Sequence, residues 1–360
     1  MKVNGAQLRS LWRQGDALAI IEQSRLPYEF QVVEITSVAA AAHAIRTMQV
    51  RGAPLIGATA ACGIALAMQE GTSDAHLRDA AKLLGATRPT AVNLRWALLR
   101  MVALLTAIAP AARVTAAWQE AQRICDEDVQ MNQAIGRNGV DVLRAIAAKK
   151  GHDRVQILTH CNAGWLATVD RGTALAPVYL AHDEGMALHV WVDETRPRNQ
   201  GLLTAWELAQ HGVPHTVIAD NAGGHLMQRG KVDAVIVGAD RVTANGDVAN
   251  KIGTYLKALA AFDSKIPFYV AAPGPTIDWA MQRGEDIPIE ERSSDELAFV
   301  AGLDEQQNVR RVRVLAPASD AANPAFDVTP ARLITGLITE RGIAPATREG
   351  LRALYPEQRA

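Results

Sequence analysis

The sequence carries almost no net charge, and that lack excludes several classes of partner. It contains 37 Lys and Arg residues against 38 Asp and Glu residues, for a formal net charge of −1 at pH 7. Binding driven by the charge of a nucleic acid or an anionic membrane needs a basic surface, which this balance does not favour. We also find no signal-peptide pattern and no apolar run that we judge long enough to span a bilayer. We therefore expect a cytoplasmic protein with no nucleic-acid or membrane partner.

Cysteine is scarce, and the usual nucleotide motifs are missing. Cys62, Cys125 and Cys161 are odd in number and widely spaced. They form neither a disulfide framework nor a CxxC metal clip, and they fit a reducing compartment. No GxGxxG follows a predicted strand and no GxxxxGK[ST] occurs, which argues against dinucleotide and P-loop nucleotide binding. We expect no metal site and no cofactor.

The sequence does contain enough apolar residues for a sizeable core, and its pattern changes partway along. Hydrophobic residues make up 49% of the 360 residues and charged residues 21%, and this length favours two domains. The first part is alanine-rich with helical spacing, as in "ATAACGIALAMQ", apart from two predicted strands in "ALAIIEQSRLPYEFQVVEI". Because residues 147–154 are polar, we predict a mainly helical domain with a short sheet over 1–148 and a second domain over 149–360.

The second part alternates apolar strands with helical patterns, which predicts an α/β fold with a doubly wound parallel sheet. The predicted strands are "VQILTH", "ALHVWVDE", "HTVIA", "VDAVIVGAD", "PFYVAA" and "VRRVRVLAP". In such sheets the ligand lies outside the carboxyl ends of the strands.

Two of these strands end in groups that could carry out chemistry. "VQILTH" leads directly into Cys161, whose thiol can act as a nucleophile or an acid/base if its pKa is tuned. "VDAVIVGAD" ends in Asp240, and burial after an apolar strand could keep that carboxyl protonated as a proton donor.

A purely structural interpretation competes with each of these functional ones. Most cysteines are inert small apolar residues, which suits Cys62 and Cys125 inside helical patterns. An aspartate after a strand is often a turn former or a helix N-cap, the interpretation we favour for Asp193 and Asp220. For the thiol and the carboxyl named above, the pattern alone leaves both interpretations open.

Four predicted helix starts carry groups that suit a phosphate. Exposed N–H groups at a helix start, with a nearby cation, bind anions. The four starts are Arg51 before Gly52-Ala53-Pro54, Arg88 before Pro89, Arg196-Pro197 with Gln200, and Asn250 with Lys251. One such start is usually a solvated turn, but four in one chain indicate a phosphorylated small molecule as the ligand.

The motifs taken together resemble those of a known family. "RGAPLIG", "TRPTAVNL", "THCNAG", "VDETRP", "LTAWEL", "ADNAGGHLM", "VIVGADRVTANGDVANKIGTY", "PFYVAAP" and "IPIEER" occur in this order. The resemblance is to the family that holds S-methyl-5-thioribose-1-phosphate isomerases of methionine salvage, related sugar-phosphate isomerases, and the regulatory subunits of translation initiation factor 2B. It implies a small helical domain on a Rossmann-like domain, and a homodimer.

The resemblance also implies roles for particular residues. The implied catalytic pair is Cys161 and Asp240. The implied substrate contacts are Arg51, Gly52, Ala53, Arg88, Gln200, Asn250 and Lys251. One departure affects the register of Gln200, because "QGLLTAWEL" is one residue shorter than the family's usual "QGARLTAWEL".

The implied reaction is an aldose–ketose isomerisation of 5-methylthioribose 1-phosphate to 5-methylthioribulose 1-phosphate. Asp240 would protonate the ring oxygen, and Cys161 would serve hydrogen transfer from C2 to C1, through a cis-enediol or a hydride shift. The alternatives are isomerisation of 5-deoxyribose 1-phosphate or ribose 1,5-bisphosphate, or a non-catalytic regulatory subunit. An apolar pocket separates the methylthio and deoxy sugars only weakly. The bisphosphate needs an additional cationic pocket, for which we see no unassigned basic cluster in the sequence.

Overall fold

The computed structural model describes residues 1–151 and 153–358. In the first part, helices and two of the five strands form where the hydrophobic spacing predicts them. The strands are β1 Lys2–Val3, β2 Ala6–Gln7, β3 Leu11–Gln14, β4 Ala17–Ile21 and β5 Val32–Ile35. The helices are α1 Val38–Arg46, α2 Ala53–Glu70, α3 Asp74–Gly85, α4 Val92–Thr106 and α5 Arg113–Lys149. Strands β3, β4 and β5 form an antiparallel sheet, so the predicted pair of strands around a turn is confirmed.

Helix α2 is the centre of the helical core. It contacts α1, α3, α4 and α5, and side chains such as Leu55, Ile64 and Met68 are fully buried. With 18 residues and a mean hydropathy of 1.2, α2 is long and apolar enough to cross a membrane by length and composition. The expectation that no apolar run reaches that length is therefore wrong. However, 83% of α2 is buried inside this protein, as in the core helix of a globular domain.

The second part holds the remaining elements. Its strands are β6 Val155–Thr159, β7 Leu188–Asp193, β8 His215–Ile218, β9 Ala234–Val237, β10 Arg241–Thr243, β11 Val248–Lys251, β12 Phe268–Ala271, β13 Ile277–Asp278, β14 Phe299–Leu303, β15 Val309–Arg313, β16 Phe326–Thr329, β17 Gly336–Thr339 and β18 Gly342–Ala344. Its helices are α6 Ala176–Asp183, α7 Gln200–His211, α8 Ala222–Gln228, α9 Thr254–Asp263, α10 Asp295–Ala298 and α11 Arg348–Leu354.

The main sheet has seven strands in the order β18-β17-β12-β9-β6-β7-β8. All neighbours pair in parallel except β17 with the edge strand β18. Starting at β6, the chain builds one half outward through β7 and β8, then returns to place β9, β12 and β17 on the other side. This is the doubly wound order, in which the crevice for a ligand opens between the two central strands. Here those strands are β6 and β9.

Three predictions of local structure are wrong. "VRRVRVLAP" does form the strand β15, but β15 pairs only with β14 in an exposed antiparallel hairpin outside the main sheet, whose last parallel strand is β17. Asn250 and Lys251 end the strand β11 rather than starting a helix, since α9 begins at Thr254. Pro89 does not open α4, which begins at Val92.

Helix α5 contributes to the cores of both parts. Its amino-terminal half packs in the helical core through Ala117 and Ile124, while Ile135 and Leu143 pack against the main sheet. Helix α5 ends at Lys149 and β6 begins at Val155, and residue 152 of the predicted boundary segment lies outside the described residues. The division into domains at 148/149 stays a prediction.

Candidate functional site

Cys161 follows the central strand β6 in a strained backbone conformation. Its φ of 68° is in the left-handed region, which non-glycine residues rarely adopt. Two threonine hydroxyls hold it there. The Cys161 N–H donates to Oγ1 of Thr195 at 2.8 Å, and Oγ1 of Thr204 donates to the Cys161 carbonyl at 2.8 Å. Such enforced strain is typical of functional positions.

All nine residues to which the resemblance assigns a role line one cleft at the carboxyl ends of β6 and β9, whereas Arg196 and Pro197 are not among its lining residues. The nine are Arg51, Gly52, Ala53, Arg88, Cys161, Gln200, Asp240, Asn250 and Lys251. The first four come from the helical part, and the others come from the ends of strands or from the start of α7. Despite the shortened segment after it, Gln200 reaches the cleft as the first residue of α7.

The start of α2 offers backbone donors to the cleft. Gly52 precedes the helix with a φ of 95°, and a Cβ at this position would lie 2.4 Å from the carbonyl oxygen of Ala167. Only glycine fits such a contact. Among the described residues no side chain caps the helix, and its first turn contains no acidic residue. The positive end of the helix dipole can therefore attract an anion.

Burial and neighbouring charges act against each other on the ionisable groups of the cleft. Burial raises the pKa of Asp240, while the cations Lys251, Arg88 and Arg51 lower it. Burial likewise raises the pKa of Cys161, opposed by Lys251 and Arg51. The Lys251 pKa is lowered by burial, against the attraction of the thiol and the carboxyl. Because its pKa is raised, the Asp240 carboxyl holds its proton more firmly than an ordinary aspartate does, as a proton donor requires.

Several buried polar atoms in the cleft lack a partner among the described residues. They are Nε of Arg51, Nε of Arg88 and Oε1 of Gln200. Another donor of Arg88, its Nη2, lies 3.2 Å from Oε2 of Glu290. Buried donors and acceptors without partners are costly, and a ligand with several oxygens would satisfy them.

A hydrogen-bonded group that the sequence analysis missed orients Arg51. Asn162, next to Cys161, accepts hydrogen bonds from the Arg51 guanidinium through both its backbone and its side-chain oxygen. Its Nδ2 donates to Oε1 of the fully buried Glu207 at 2.8 Å. Glu207 also accepts from the backbone of Trp165 at 2.8 Å. The sequence hint was in "LTAWEL", where a glutamate stands between Trp206 and Leu208.

The same carboxylate explains the glycine of "THCNAG". A Cβ on Gly164 would lie 1.8 Å from Oε2 of Glu207. The loop after Cys161 is therefore folded tightly around Glu207, and a larger residue at position 164 would displace it.

A second buried group lies behind Cys161. Nδ1 of His160 is 2.9 Å from Oδ2 of Asp193, and its Nε2 is 2.8 Å from the carbonyl oxygen of Ile252. Ligand atoms of His160, Asp193 and Asp220 lie within 4.8 Å of one another, close enough to hold a metal ion. However, Nζ of Lys257 lies 3.3 Å from Asp193 and supplies a positive charge there. The chemistry of this cluster thus fits an internal ion pair better than a metal centre.

Asp193, Asp220, Cys62 and Cys125 are expected to have structural roles, and their contacts test this. Asp220 accepts from the backbone N–H groups of Thr195 and Arg196 at 2.7 and 2.8 Å, so it shapes the loop as predicted. Asp193 is fully buried in the ion pair just described, so the prediction of a simple turn former is wrong. Cys62 and Cys125 lie within α2 and α5 and are buried, as predicted.

A larger cavity adjoins the cleft. The cleft itself has a volume of about 70 Å³, and it shares Met48, Arg51 and Gln200 with a neighbouring cavity of about 620 Å³. Leu26, Leu203 and the hairpin β14–β15 also line that cavity. A ligand bound at the cleft can therefore extend its far end into a roomy, partly apolar space.

Arginines also line this larger cavity, contrary to the expectation of no additional basic cluster. Arg25 pairs with Glu29 at 2.7 Å, Arg198 with Glu296 at 3.0 Å, and Arg311 with Asp295 at 3.8 Å. Each cation has an acidic partner, so little positive charge is left uncompensated there.

Comparison with known proteins agrees with the sequence motifs. Residues 49–346 match the initiation factor 2 subunit family. A methylthioribose-1-phosphate isomerase of Gluconobacter oxydans (strain 621H) is 63% identical over 364 residues, 99% of each chain. A protein of the same name from Dechloromonas aromatica (strain RCB) is 60% identical over 360 residues, again 99% of each chain.

Two solved structures are similar over almost the full length. The 5-methylthioribose 1-phosphate isomerase of Pyrococcus horikoshii OT3 superposes with a TM-score of 0.84 at 42% identity, covering 98% of this chain and 96% of that one. The translation initiation factor eIF-2B subunit delta from A. fulgidus superposes with a TM-score of 0.81 at 40% identity, covering 97% and 100%.

Proposed function

This chain belongs to the initiation factor 2 subunit family, and from that premise we propose that it is an aldose–ketose isomerase of methionine salvage. Its reaction converts 5-methylthioribose 1-phosphate to 5-methylthioribulose 1-phosphate, the activity suggested by the names of its full-length relatives. The observation that carries the proposal is that Cys161 and Asp240 share one cleft with Arg51, Arg88 and Lys251. A thiol, a half-buried carboxyl and three cations are the groups that this reaction on a sugar phosphate needs.

The first chemical step is the opening of the sugar ring. The phosphate on C1 prevents the simple opening that a free sugar undergoes, so the bond from C1 to the ring oxygen must break with the phosphate in place. Asp240 donates a proton to the ring oxygen, which leaves as the C4 hydroxyl, while C1 becomes an oxocarbenium ion that still carries the phosphate. Its raised pKa supports this role, because the protonated form persists at higher pH than in an exposed aspartate.

The second step moves hydrogen from C2 to C1. In an enediol route the Cys161 thiolate takes the C2 hydrogen as a proton and returns it to C1, while the C2 hydroxyl proton passes to Asp240. In a hydride route the hydrogen moves with its electron pair, and the thiol stays protonated beside it. Deuterium on C1 of the product after turnover in D₂O would establish the enediol route, because only there is the hydrogen carried as a proton that can exchange with solvent while it is on the sulfur.

The phosphate binds between the two parts of the chain. Arg51, Arg88 and Lys251 supply positive charge, and the uncapped start of α2 at Gly52 and Ala53 supplies N–H donors. Gln200 and Asn250 serve the sugar hydroxyls. The 5-methylthio end then points past Met48 into the larger cavity, where Leu26 and Leu203 offer apolar contacts.

Two other candidates have specific support. The arginines of the larger cavity favour a second phosphate, as in ribose 1,5-bisphosphate, although each one is paired with a carboxylate. The similarity to the A. fulgidus protein favours a regulatory subunit in translation. A purely regulatory protein would not need a strained thiol and a proton-holding carboxyl in the same cleft, so we favour the isomerase.

A direct assay separates these candidates. The purified protein is given 5-methylthioribose 1-phosphate, 5-deoxyribose 1-phosphate or ribose 1,5-bisphosphate in a buffer with a chelator and no nucleotide, and the products are followed by ³¹P NMR. We expect the highest kcat/KM on the methylthio sugar and no need for a metal. Turnover of the bisphosphate alone would reassign the substrate. Absence of turnover on all three sugars would favour the regulatory function.

We further propose that the protein works as a homodimer in the cytoplasm and that its functional division lies near residue 148. The family resemblance supports the dimer. A catalytic free thiol is best preserved in a reducing compartment, and the phosphorylated substrate occurs inside cells.

A further inference from the structure

We propose that His160 is a positioning residue that couples Cys161 to Lys251. This inference rests on the proposed roles of those two residues in the reaction. His160 borders the cleft, and its two ring nitrogens contact protein atoms, Oδ2 of Asp193 and the carbonyl oxygen of Ile252. Its place in the chain is between the end of β6 and the catalytic thiol.

The imidazole connects two separate segments of the site. On one side, His160 is the residue immediately before Cys161. On the other, its Nε2 is 2.8 Å from the carbonyl oxygen of Ile252, the residue immediately after Lys251. A single ring thus fixes the distance between the backbone that carries the thiol and the backbone that carries the ammonium. The ring is 1% exposed, so water cannot substitute for either contact.

The turn after Lys251 is built to receive this ring. Gly253 has a φ of 100°, and a Cβ there would lie 3.0 Å from Cε1 of His160. Its N–H donates to Oδ2 of Asp327 at 2.7 Å. Nζ of Lys251 donates to the carbonyl oxygen of Ala325 at 2.9 Å. The ammonium also lies 4.7 Å from the centre of the Phe326 ring. The backbone of Lys251 is paired with Phe326 in β16, and the histidine adds a further contact at the next residue, Ile252.

The other ring nitrogen holds the histidine in place. Nδ1 is 2.9 Å from Oδ2 of the fully buried Asp193, which also pairs with Nζ of Lys257 at 3.3 Å. The backbone oxygen of Asp193 accepts from Oγ1 of Thr195, the hydroxyl that in turn accepts from the Cys161 N–H. Asp193 thus holds both the imidazole and the strained backbone of the thiol.

The charged groups that face His160 come from four elements. They are Asp193 at the end of β7, Asp220 after β8, Lys257 on α9 and Asp327 on β16. Both ring nitrogens face oxygen acceptors rather than donors. The cluster is therefore suited to hold the ring in one orientation.

Two substitutions separate the two contacts of the ring. In His160→Asn the side-chain amide can occupy the place of Nδ1 and keep the bond to Asp193, but it is too short to reach Ile252. In His160→Gln the amide can occupy the place of Nε2 and keep the bond to Ile252. If coupling to Lys251 is what matters, the Gln variant should retain much more activity than the Asn variant. His189→Gln, a partly buried histidine on β7, is the matched control.

The measurements are kcat, KM, the melting temperature, inhibition by inorganic phosphate, and the rate at which iodoacetamide alkylates Cys161. For His160→Asn we expect about a 10- to 100-fold loss of kcat, as small displacements of catalytic groups cause. We also expect weaker phosphate inhibition and slower alkylation, since Lys251 no longer stays beside the thiol. His160→Gln should recover most of each value, and His189→Gln should match the wild type.

Equal losses in the Asn and Gln variants, or losses that follow the melting temperature alone, would overturn the proposal and leave His160 a structural residue. If His160→Asn does not fold, Asp193→Asn takes its place as the second variant. This substitution removes the charge of Asp193 but leaves the contact between His160 and Ile252. Inhibition by inorganic phosphate should therefore stay as in the wild type. A loss of phosphate binding in Asp193→Asn would contradict the proposal that His160 acts through Lys251. Alkylation and phosphate binding need no turnover. Full activity in Cys161→Ser would contradict the proposed function, and this result can be told apart from a failure of the proposed role of His160.

Discussion

Cys161 and Asp240 follow β6 and β9, which are hydrogen-bonded neighbours in the sheet although β7, β8 and their helices lie between them in the chain. The strand order reverses between these two strands, so the thiol and the carboxyl meet at the point where doubly wound sheets bind their ligands. The helical part then covers this edge with the start of α2 and with Arg88 before α4. A strand-end cysteine and a strand-end aspartate thereby gain cationic neighbours that neither strand supplies.

The arginines of the cleft should be needed for binding the substrate. Arg51→Ala and Arg88→Ala each remove a charge-assisted contact, worth about 1.5–3 kcal/mol or roughly a 10- to 150-fold rise in KM. Steady-state kinetics with inorganic phosphate as a competing ligand measure both effects. Arg95→Ala, an exposed residue on α4, is the control. Wild-type KM and phosphate inhibition in both variants would mean that the anion site lies elsewhere.

Much of the candidate site could be predicted because its residues carry local signals. A run such as Val155–Thr159 is apolar and β-prone, so the polar residues after it must lie at the end of a strand. The pairing of β6 with β9 has no such signal, since it depends on contacts between segments far apart in the chain. The sequence indicates no role for His160, because its partners Asp193 and Ile252 come together only in the folded protein.

The wrong local predictions have physical reasons too. Alternating residues in "VRRVRVLAP" indicate a strand but not its neighbours, and its arginines at both faces suit the exposed hairpin with β14. The strand β11 was missed since it is only four residues long and is stabilised by β10 and β16 rather than by its own sequence. Asn250 and Lys251 still reach the cleft, because the end of a strand can present side chains to a ligand as well as a helix start can.

The assembly should be a homodimer. Light scattering across micromolar concentrations should give twice the chain mass of 38.6 kDa. A mass equal to one chain over that range would contradict the prediction. The measurement is best repeated with substrate present, because ligand binding between two parts of a chain can also change its association.

Stability should depend on pH through Asp128, a buried residue of α5. Burial raises its pKa to about 7 from 3.8, opposed mainly by the hydrogen bond from the Val169 N–H. In the unfolded chain this carboxyl loses its proton near pH 4, whereas in the folded protein it holds the proton until about pH 7. Its contribution to folding is therefore most favourable at low pH and is lost as the pH rises to about 7.

Asp128→Asn tests that dependence because the amide keeps an acceptor for Val169 and cannot ionise. The melting temperature of the variant, relative to the wild type, should rise between pH 4 and pH 7 and then level off. Asp263→Asn, at an exposed position, should show no such trend. A constant difference across this range would show that Asp128 titrates normally.

Asp240→Asn should abolish most turnover while leaving binding largely intact. An amide cannot donate a proton to the ring oxygen, and the loss of a general acid typically costs about 10²- to 10⁴-fold in rate. Kinetics should show a fall in kcat with little change in KM, and Asp263→Asn should keep the wild-type rate. A rise in KM without a fall in kcat would make Asp240 a binding residue.

Cys161→Ser is the sharpest test of the mechanism, because the three cysteines provide their own controls. The substitution is nearly isosteric and keeps the hydrogen bonds that Thr195 and Thr204 make to the backbone, so the variant should fold. It should lose most of kcat, since a hydroxyl is a far weaker acid than a thiol, whose unperturbed pKa is about 8.5. Cys62→Ser and Cys125→Ser place a hydroxyl in the helical core, where both residues are buried. They should lower the melting temperature and keep the rate per folded molecule. If all three variants turn over substrate equally well, Cys161 only packs at the edge of the sheet, and the hydrogen transfer must be assigned to another group in the cleft.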